Sequence, residues 1–260
     1  MQDLRITLLQ APIQWERPER NRKLYAAMLR TYGAPADLIV LPELFTTGFT
    51  MNPAPHAEPM NGPTLQWMAE LAAKRDAAML GSLIIQEDGA YYNRLVFMPP
   101  PGGDYQTYDK RHRFALAGEH QHYAAGRERL VVDYRGWRIC PLVCYDLRFP
   151  VWSRNQDEYD LLIYVANWPD RRAYDWRTLL RARAIENQCY VVGVNRIGAD
   201  ANGHTYAGDS GVIDPGWRHT LFDAGDREVV HTETLSYDHL RRVRQSLPFL
   251  ADRDDFTLRP

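Results

Sequence analysis

Residues 141–154, PLVCYDLRFPVWSR, end an apolar run on Cys144 and turn at once into amphipathic sequence. A cysteine in such a run is ordinarily a small buried hydrophobe. At a turn from strand to helix, however, a thiol faces substrate, stands near backbone N–H donors and is helped toward thiolate by the helix N-terminus. Two further stretches place reactive groups comparably. DLIVLPELFTTGF is a buried-type strand that stops at Pro42 and presents Glu43 just past its C-terminal end, where ligand chemistry collects in open α/β sheets. In YDKRHRFALAGEHQHYAAG, residues 108–126, Lys110 comes after the strand-like DYQTY and leads into an irregular segment holding Glu119. Taken singly, Glu43 reads equally as a helix cap or surface ion pair, and Lys110, Arg111, His112 and Arg113 as a solvated loop. Cys140, in mid-strand, and Cys189, at the start of CYVVGVN, fit plain burial better than reactivity.

Other chemistries lack their motifs. His112, His120 and His122 could suggest a metal site with Cys144, but there is no HExxH and no paired CxxC, and CPLVC has one residue too many for the zinc-deaminase half-motif. GxSxG, a phosphate-binding glycine loop and a dinucleotide fingerprint are also missing, so neither a metal nor an organic cofactor is expected.

The elements that must position these groups are read from periodicity. Short β-rich runs are expected at 5–9, 37–41, 78–85, 91–98, 138–143, 161–166 and 190–195. Helical patterns lie between some of them: PERNRKLYAAMLRTYG closes at Gly33, PTLQWMAELAAKRD carries Leu65, Met68, Ala69 and Ala72 on one face, and YDWRTLLRARAIENQ spaces Trp176, Leu179, Leu180 and Ala184 as a helix does. DLIVL, LLIYVAN and YVVGVN are apolar throughout, which implies burial on both faces, while the pair around EDGAYYN reads as an antiparallel hairpin. The pattern is layered α/β with mixed sheets.

At 260 residues the chain is long enough for two domains, but it has no linker, repeat or low-complexity tract, and PPPGG at 99–103 reads as a turn. One domain over 1–260 is expected. A net charge of -2, spread evenly, leaves no footprint for nucleic acid or an anionic membrane, so a small molecule is the better partner. MQDLRITLLQ is strand-like rather than a signal sequence and no run is long enough to span a bilayer, so the expected location is the cytoplasm. Three cysteines do not make a disulfide framework. On one strand Cys140 and Cys144 would stand about 13 Å apart, too far to bridge.

The ordered set LPELFTTGF, YDKRHRFALAGEHQHYAAG and PLVCYDLRFPVWSR resembles the Glu, Lys and Cys signatures of the nitrilase superfamily of carbon–nitrogen hydrolases. LLQAPIQW, YVANWP, ARAIENQCYVVGVNRIG and YAGDSGVIDP extend the likeness from about Leu8 to Pro215. The resemblance implies a four-layer α-β-β-α sandwich of two mixed sheets, usually paired into a homodimer through helix faces. It makes Cys144 the nucleophile, Glu43 the general base, Lys110 the cation beside the oxyanion and Glu119 the carboxylate that orients Lys110. Those parts suffice for covalent amide hydrolysis, with the backbone N–H of Tyr145 as a second oxyanion donor. Burial raises the pKa of Glu43 while Lys110 lowers it, so the balance decides whether it can move a proton.

Within the superfamily, CYDLRFPVWSRN and YVANWP are most similar to the omega-amidase branch, which hydrolyses the terminal amide of 2-oxoglutaramate and 2-oxosuccinamate. These substrates are anions, and the branch's pattern places Arg148 at their carboxylate; an ion pair from Arg148 to Asp146 that only stiffens the turn is the competing reading. Trp168 and Phe45 are expected to wall a small pocket. Other amidases, nitrilases and carbamoylases share the same reactive groups, and a catalytically silent interaction protein is the remote alternative. Residues 236–260, apolar at Phe249 and Leu250, are expected to form a helix and tail that pack at the dimer interface.

Overall fold

The computed structural model describes residues 2–102, 104–156, 158–216 and 220–258; Gly103 of the PPPGG turn and the last two residues of the tail lie outside that set. In chain order the strands and helices are β1 Leu4–Gln10, α1 Pro18–Tyr32, β2 Leu38–Val40, α2 Pro63–Arg75, β3 Ala78–Glu87, β4 Ala90–Met98, β5 Gln106–Asp109 and α3 Glu119–His122. Next come β6 Val132–Tyr134, β7 Trp137–Val143, α4 Pro150–Ser153, β8 Leu161–Val165, α5 Ala173–Asn187 and β9 Tyr190–Val194. The chain closes with β10 Ile197–Ala199, β11 Thr205–Ala207, β12 Gly211–Ile213, β13 Thr220–Asp223, β14 Val229–Leu235 and α6 Tyr237–Ser246.

Two six-stranded sheets result, ordered β14-β1-β2-β3-β4-β5 and β13-β12-β9-β8-β7-β6. Each is built on three parallel strands, β1-β2-β3 and β7-β8-β9, flanked by antiparallel neighbours. The fully apolar runs are explained by which layer each side chain enters. In β1 and β2, Ile6, Leu8, Leu38 and Val40 join the layer between the sheets with Ile139, Leu161 and Ile163. The alternate residues Leu9 and Ile39 face the opposite way, onto Tyr25, Met28, Leu65 and Met68 of α1 and α2. Successive side chains of a strand point to opposite faces, so a strand with helices on one side and a sheet on the other is apolar at every position. The architecture is the expected α-β-β-α sandwich.

On the second sheet, α5 packs through Trp176, Leu180 and Ala184. The approach is close enough that a Cβ on Gly193 of β9 would lie 2.5 Å from a methyl of Leu180. That side of α5 is therefore seated directly on the backbone of β9, and the segment before it, which enters the site, inherits a fixed position.

The hairpin of β3 and β4 turns at Asp88 and Gly89, both at positive φ, as the sequence EDGAYYN predicts. β10 and β11, which the periodicity does not single out, form a separate antiparallel ribbon. The C-terminal segment lies against its own chain. Arg244 of α6 donates to Asp160 and to the carbonyls of Tyr159 and Gln188, and the Gln188 side chain bonds both Leu247 and Leu250. Phe249 remains 57% exposed. No helix among the described residues is long and apolar enough to cross a membrane.

Candidate active site

Strands that run in parallel deliver their C-terminal ends to one edge of a sheet, and here two such edges meet. Glu43 lies just past β2 and Lys110 just past β5 in the first sheet; Cys144 lies just past β7 and Asn167 just past β8 in the second. Between them opens a cavity of about 570 Å³. Lys110 and Cys144 line it, as do Tyr145, Arg148 and Trp168.

Lys110 is 1% exposed and its ammonium is fully engaged. Nζ donates to Glu43 Oε1 at 2.9 Å and to both oxygens of Glu119 at 3.0 and 2.9 Å. Both carboxylates are completely buried. Burial opposes a charge on Lys110, but Glu119 and Glu43 outweigh it and hold the pKa above the ordinary lysine value. Glu119 is pushed up, by burial first and by the charge of Glu43, against the pull of Lys110. It also accepts from the backbone N–H of Phe114 and, at 3.4 Å, from the Asn93 side chain. The lysine backbone is fixed as well, with its N–H on the Asn93 carbonyl and its carbonyl accepting from Gly126.

Glu43 is held from both sheets. Asn93 of β4 donates to Oε1 at 2.8 Å, and the backbone N–H of Asn167 donates to Oε2 at 2.8 Å. The Asn167 side chain closes the arrangement by donating to the Glu43 carbonyl at 2.6 Å. Sequence reasoning assigns Asn167 no part in the chemistry and does not reach Asn93. The latter sits in mid-strand, where its neighbours carry no hint of a buried carboxylate opposite.

Cys144 stands at φ +45°, an uncommon conformation for a residue with a side chain. Asp146 fixes the turn beneath it. One oxygen of this buried carboxylate accepts from Val143 N–H and Tyr108 O–H, and the other accepts from His112 N–H and lies 2.7 Å from His112 Nδ1. The His112 ring is stacked on Phe149. The basic cluster at 110–113 is thus divided between the two reactive centres: Lys110 serves the carboxylates and His112 braces the cysteine turn.

One expectation is corrected at this turn. Cys144 opens a 3₁₀ stretch, Cys144–Arg148, which leads into the four-residue α4, and neither is a helix long enough to stabilise an anion at its start. The thiol pKa accordingly moves well above its ordinary value, first through burial and then through Glu43, with Lys110 opposing. Cys144 is a neutral thiol at rest. The expected result is that thiolate absorbance at 240 nm, taken as wild type minus Cys144→Ala, shows no step where an ordinary cysteine titrates. A titration step below neutrality would contradict that assignment.

Arg148 reaches the cavity, but it pairs with Asp175 at 2.6 Å and not with Asp146, and its guanidinium lies over Trp168. Trp168 lines the cavity, and the Tyr145 side of the turn lines it too. Phe45 does not. The turn after Pro42 carries it to the helix side of the sheet, where it meets Tyr25 and Trp67 and covers Gly81; Phe49, four residues later, takes the place at the cavity beside Lys110. Cys140 and Cys189 are buried in the core. Among the described residues no three His, Cys, Asp or Glu side chains gather as a metal site.

The model of the family described as carbon-nitrogen hydrolase matches residues 5–245. The chain is 47% identical to omega-amidase YafV of Yersinia enterocolitica, over 99% of this chain and all of that one. It is 32% identical to 2-oxoglutaramate amidase of Bacillus subtilis, over 95% and 96%. Among solved structures, XC1258 of Xanthomonas campestris, a CN-hydrolase superfamily protein with an arsenic adduct in its active site, superposes with a TM-score of 0.96 at 47% identity, covering 99% of this chain and all of the other.

Proposed function

The chain belongs to the carbon-nitrogen hydrolase family, and from that membership we propose that it is an omega-amidase, releasing ammonia from 2-oxoglutaramate or 2-oxosuccinamate to leave the 2-oxo dicarboxylate. The observation that carries this reading is a lysine ammonium clamped by two buried carboxylates beside a neutral thiol, in a small cavity with arginines among its lining. The full-length likeness to proteins of that activity supplies the substrate class.

In the proposed sequence, Cys144 Sγ attacks the amide carbon and its proton passes to Glu43. Negative charge gathers on the carbonyl oxygen, where the Lys110 ammonium, turning one of its two N–H bonds from Glu119 to the oxyanion, and the backbone N–H of Tyr145 receive it. Tyr145 suits that task because N–H groups in the first turn of a helical stretch have no partner within the turn. Glu43 then gives the proton to the departing nitrogen, the C–N bond breaks, ammonia leaves and a thioester remains. Water, losing a proton to Glu43, attacks the thioester; the acid departs and the proton returns to sulfur. Glu119 is a positioning residue, holding Lys110 through two hydrogen bonds.

A neutral thiol gives the order of events a physical reason. A permanent thiolate beside Glu43 and Glu119 would be a third negative charge in a buried site with one ammonium, whereas a proton moved during attack never builds that charge.

We further propose a cytoplasmic homodimer. Supporting the dimer, Tyr174 and Ile185 lie eleven residues apart on one outward face of α5 and are 74% and 65% exposed. Phe249 adds an apolar group from the tail, which we propose contributes to the same contact.

The reading is tested by ammonia release from 2-oxoglutaramate beside L-glutamine and a simple aliphatic nitrile. Preference for the keto-amide by at least about tenfold in kcat/KM is expected, a factor that corresponds to roughly 1.4 kcal/mol of transition-state discrimination. Equal or better turnover of glutamine or the nitrile would reject the substrate assignment.

A further inference from the structure

An amide substrate with a carboxylate at its far end needs an unspent cation in the cavity, and Arg148 is already matched by Asp175. Two other arginines line the same cavity, Arg171 and Arg172. Arg171 is exposed. Arg172 is half-buried, and its guanidinium makes no ion pair with a carboxylate among the described residues; it lies instead 5.2 Å over the ring of Phe114.

Its backbone is held as firmly as those of the reactive residues. Arg172 ends the 3₁₀ turn Asp170–Arg172, and its carbonyl accepts from Trp168 Nε1 at 2.8 Å. At the other end of that turn, Asp170 accepts from Thr205 of the β10–β11 ribbon. Phe114, which carries the guanidinium, also donates its backbone N–H to Glu119. The cation is thereby tied to the same framework as Lys110. Burial lowers its pKa, and the charges of Arg171 and Arg148 add to that; the Cys144 sulfur lies within its electrostatic reach. The carboxylate of Asp175 acts on it the other way, but that group is bonded to Arg148, so the surroundings concentrate positive charge next to the thiol and give Arg172 no bonded anion among the described residues.

We infer that Arg172 holds the substrate's carboxylate and sets the preference for acidic amides, while Arg148, neutralised by Asp175 and laid over Trp168, shapes the wall. The planar guanidinium presents paired N–H donors that match a carboxylate, and the Phe114 face restricts it to one plane before substrate arrives. This inference rests on the omega-amidase reading, since only a substrate with a distal carboxylate gives Arg172 its task.

The test is a ratio, kcat/KM for 2-oxoglutaramate divided by kcat/KM for pentanamide, an amide of the same carbon count without the carboxylate. Arg172→Gln should lower the ratio by about 30-fold, mainly through KM for the keto-amide, and Arg172→Lys should recover part of it. Arg148→Gln should change the ratio by less than about threefold, since its charge is already balanced. If Arg172→Gln lowers both substrates equally, the residue is structural and the inference falls. If Arg148→Gln produces the selective loss, the carboxylate belongs to Arg148 and the inference falls as well. A wild type with no preference for the keto-amide overturns the omega-amidase reading and this inference together; a wild-type preference that survives Arg172→Gln overturns the inference alone.

Discussion

Cys144→Ala will lower turnover of 2-oxoglutaramate by at least about 10⁴-fold and leave the protein folded, because no other group at the cavity floor can form the thioester. Lys110 is a protonated donor and both carboxylates are bonded to it, so neither offers a free nucleophile. The alanine keeps the Cβ and loses a sulfur whose hydrogen bond is long, 3.9 Å to the Asn167 carbonyl. Stability should therefore shift by less than about 1 kcal/mol. Ammonia release under single-turnover and steady-state conditions, with thermal unfolding alongside, checks both halves. Residual activity above about 1% of wild type would show that water can be activated without the thiol and would end the covalent mechanism.

Lys110→Met is expected to fail differently. It removes the oxyanion cation, costing about 10³-fold or more in kcat. It also leaves Glu43 and Glu119 facing each other, completely buried, with no positive charge between them. Breaking one partner out of a buried ion cluster costs about 3–5 kcal/mol. Glu119 is already pushed up by burial and by Glu43 in the intact protein, and the loss of Lys110 raises it further. A carboxyl group whose folded pKa lies above its unfolded value is favourable to folding while protonated and loses that advantage as pH rises through the folded pKa. The destabilisation of Lys110→Met should consequently be least at acid pH and grow toward neutrality. Lys110→Met combined with Glu119→Gln should regain part of the stability and none of the activity. Urea unfolding across pH separates these outcomes; a Lys110→Met variant as stable as wild type at neutral pH would mean the clamp carries no net energy.

Much of the site is legible in the sequence because the reactive groups sit at strand ends, and strand ends are marked by where an apolar run stops. Glu43, Lys110 and Cys144 are each found that way. Glu119 depends on resemblance, since the irregular segment before it gives no register. Asn93 is out of reach: it lies in the middle of a hairpin strand, and its importance comes from the Glu43 side chain that another strand brings to it. Phe45 is misplaced by sequence reasoning because strand parity ends at Pro42, and the turn beyond it, with Leu44 at φ +43°, reverses which side the next residues face. Arg148 and Arg172 look alike in sequence. Only the fold reveals that Asp175, in the first turn of α5, has claimed the first and not the second.

The bonds between Asn167 and Glu43 join the ends of strands from two different sheets. Among the described residues no backbone ladder links those sheets at this point; apolar packing sets their spacing. Base and thiol therefore ride on separate rafts moored to each other at this end by a few polar bonds, and how the rafts lie against each other depends on the grease between them. Divergence in that inner layer, far from any substrate, supplies a way for evolution to retune rate while every reactive side chain stays the same.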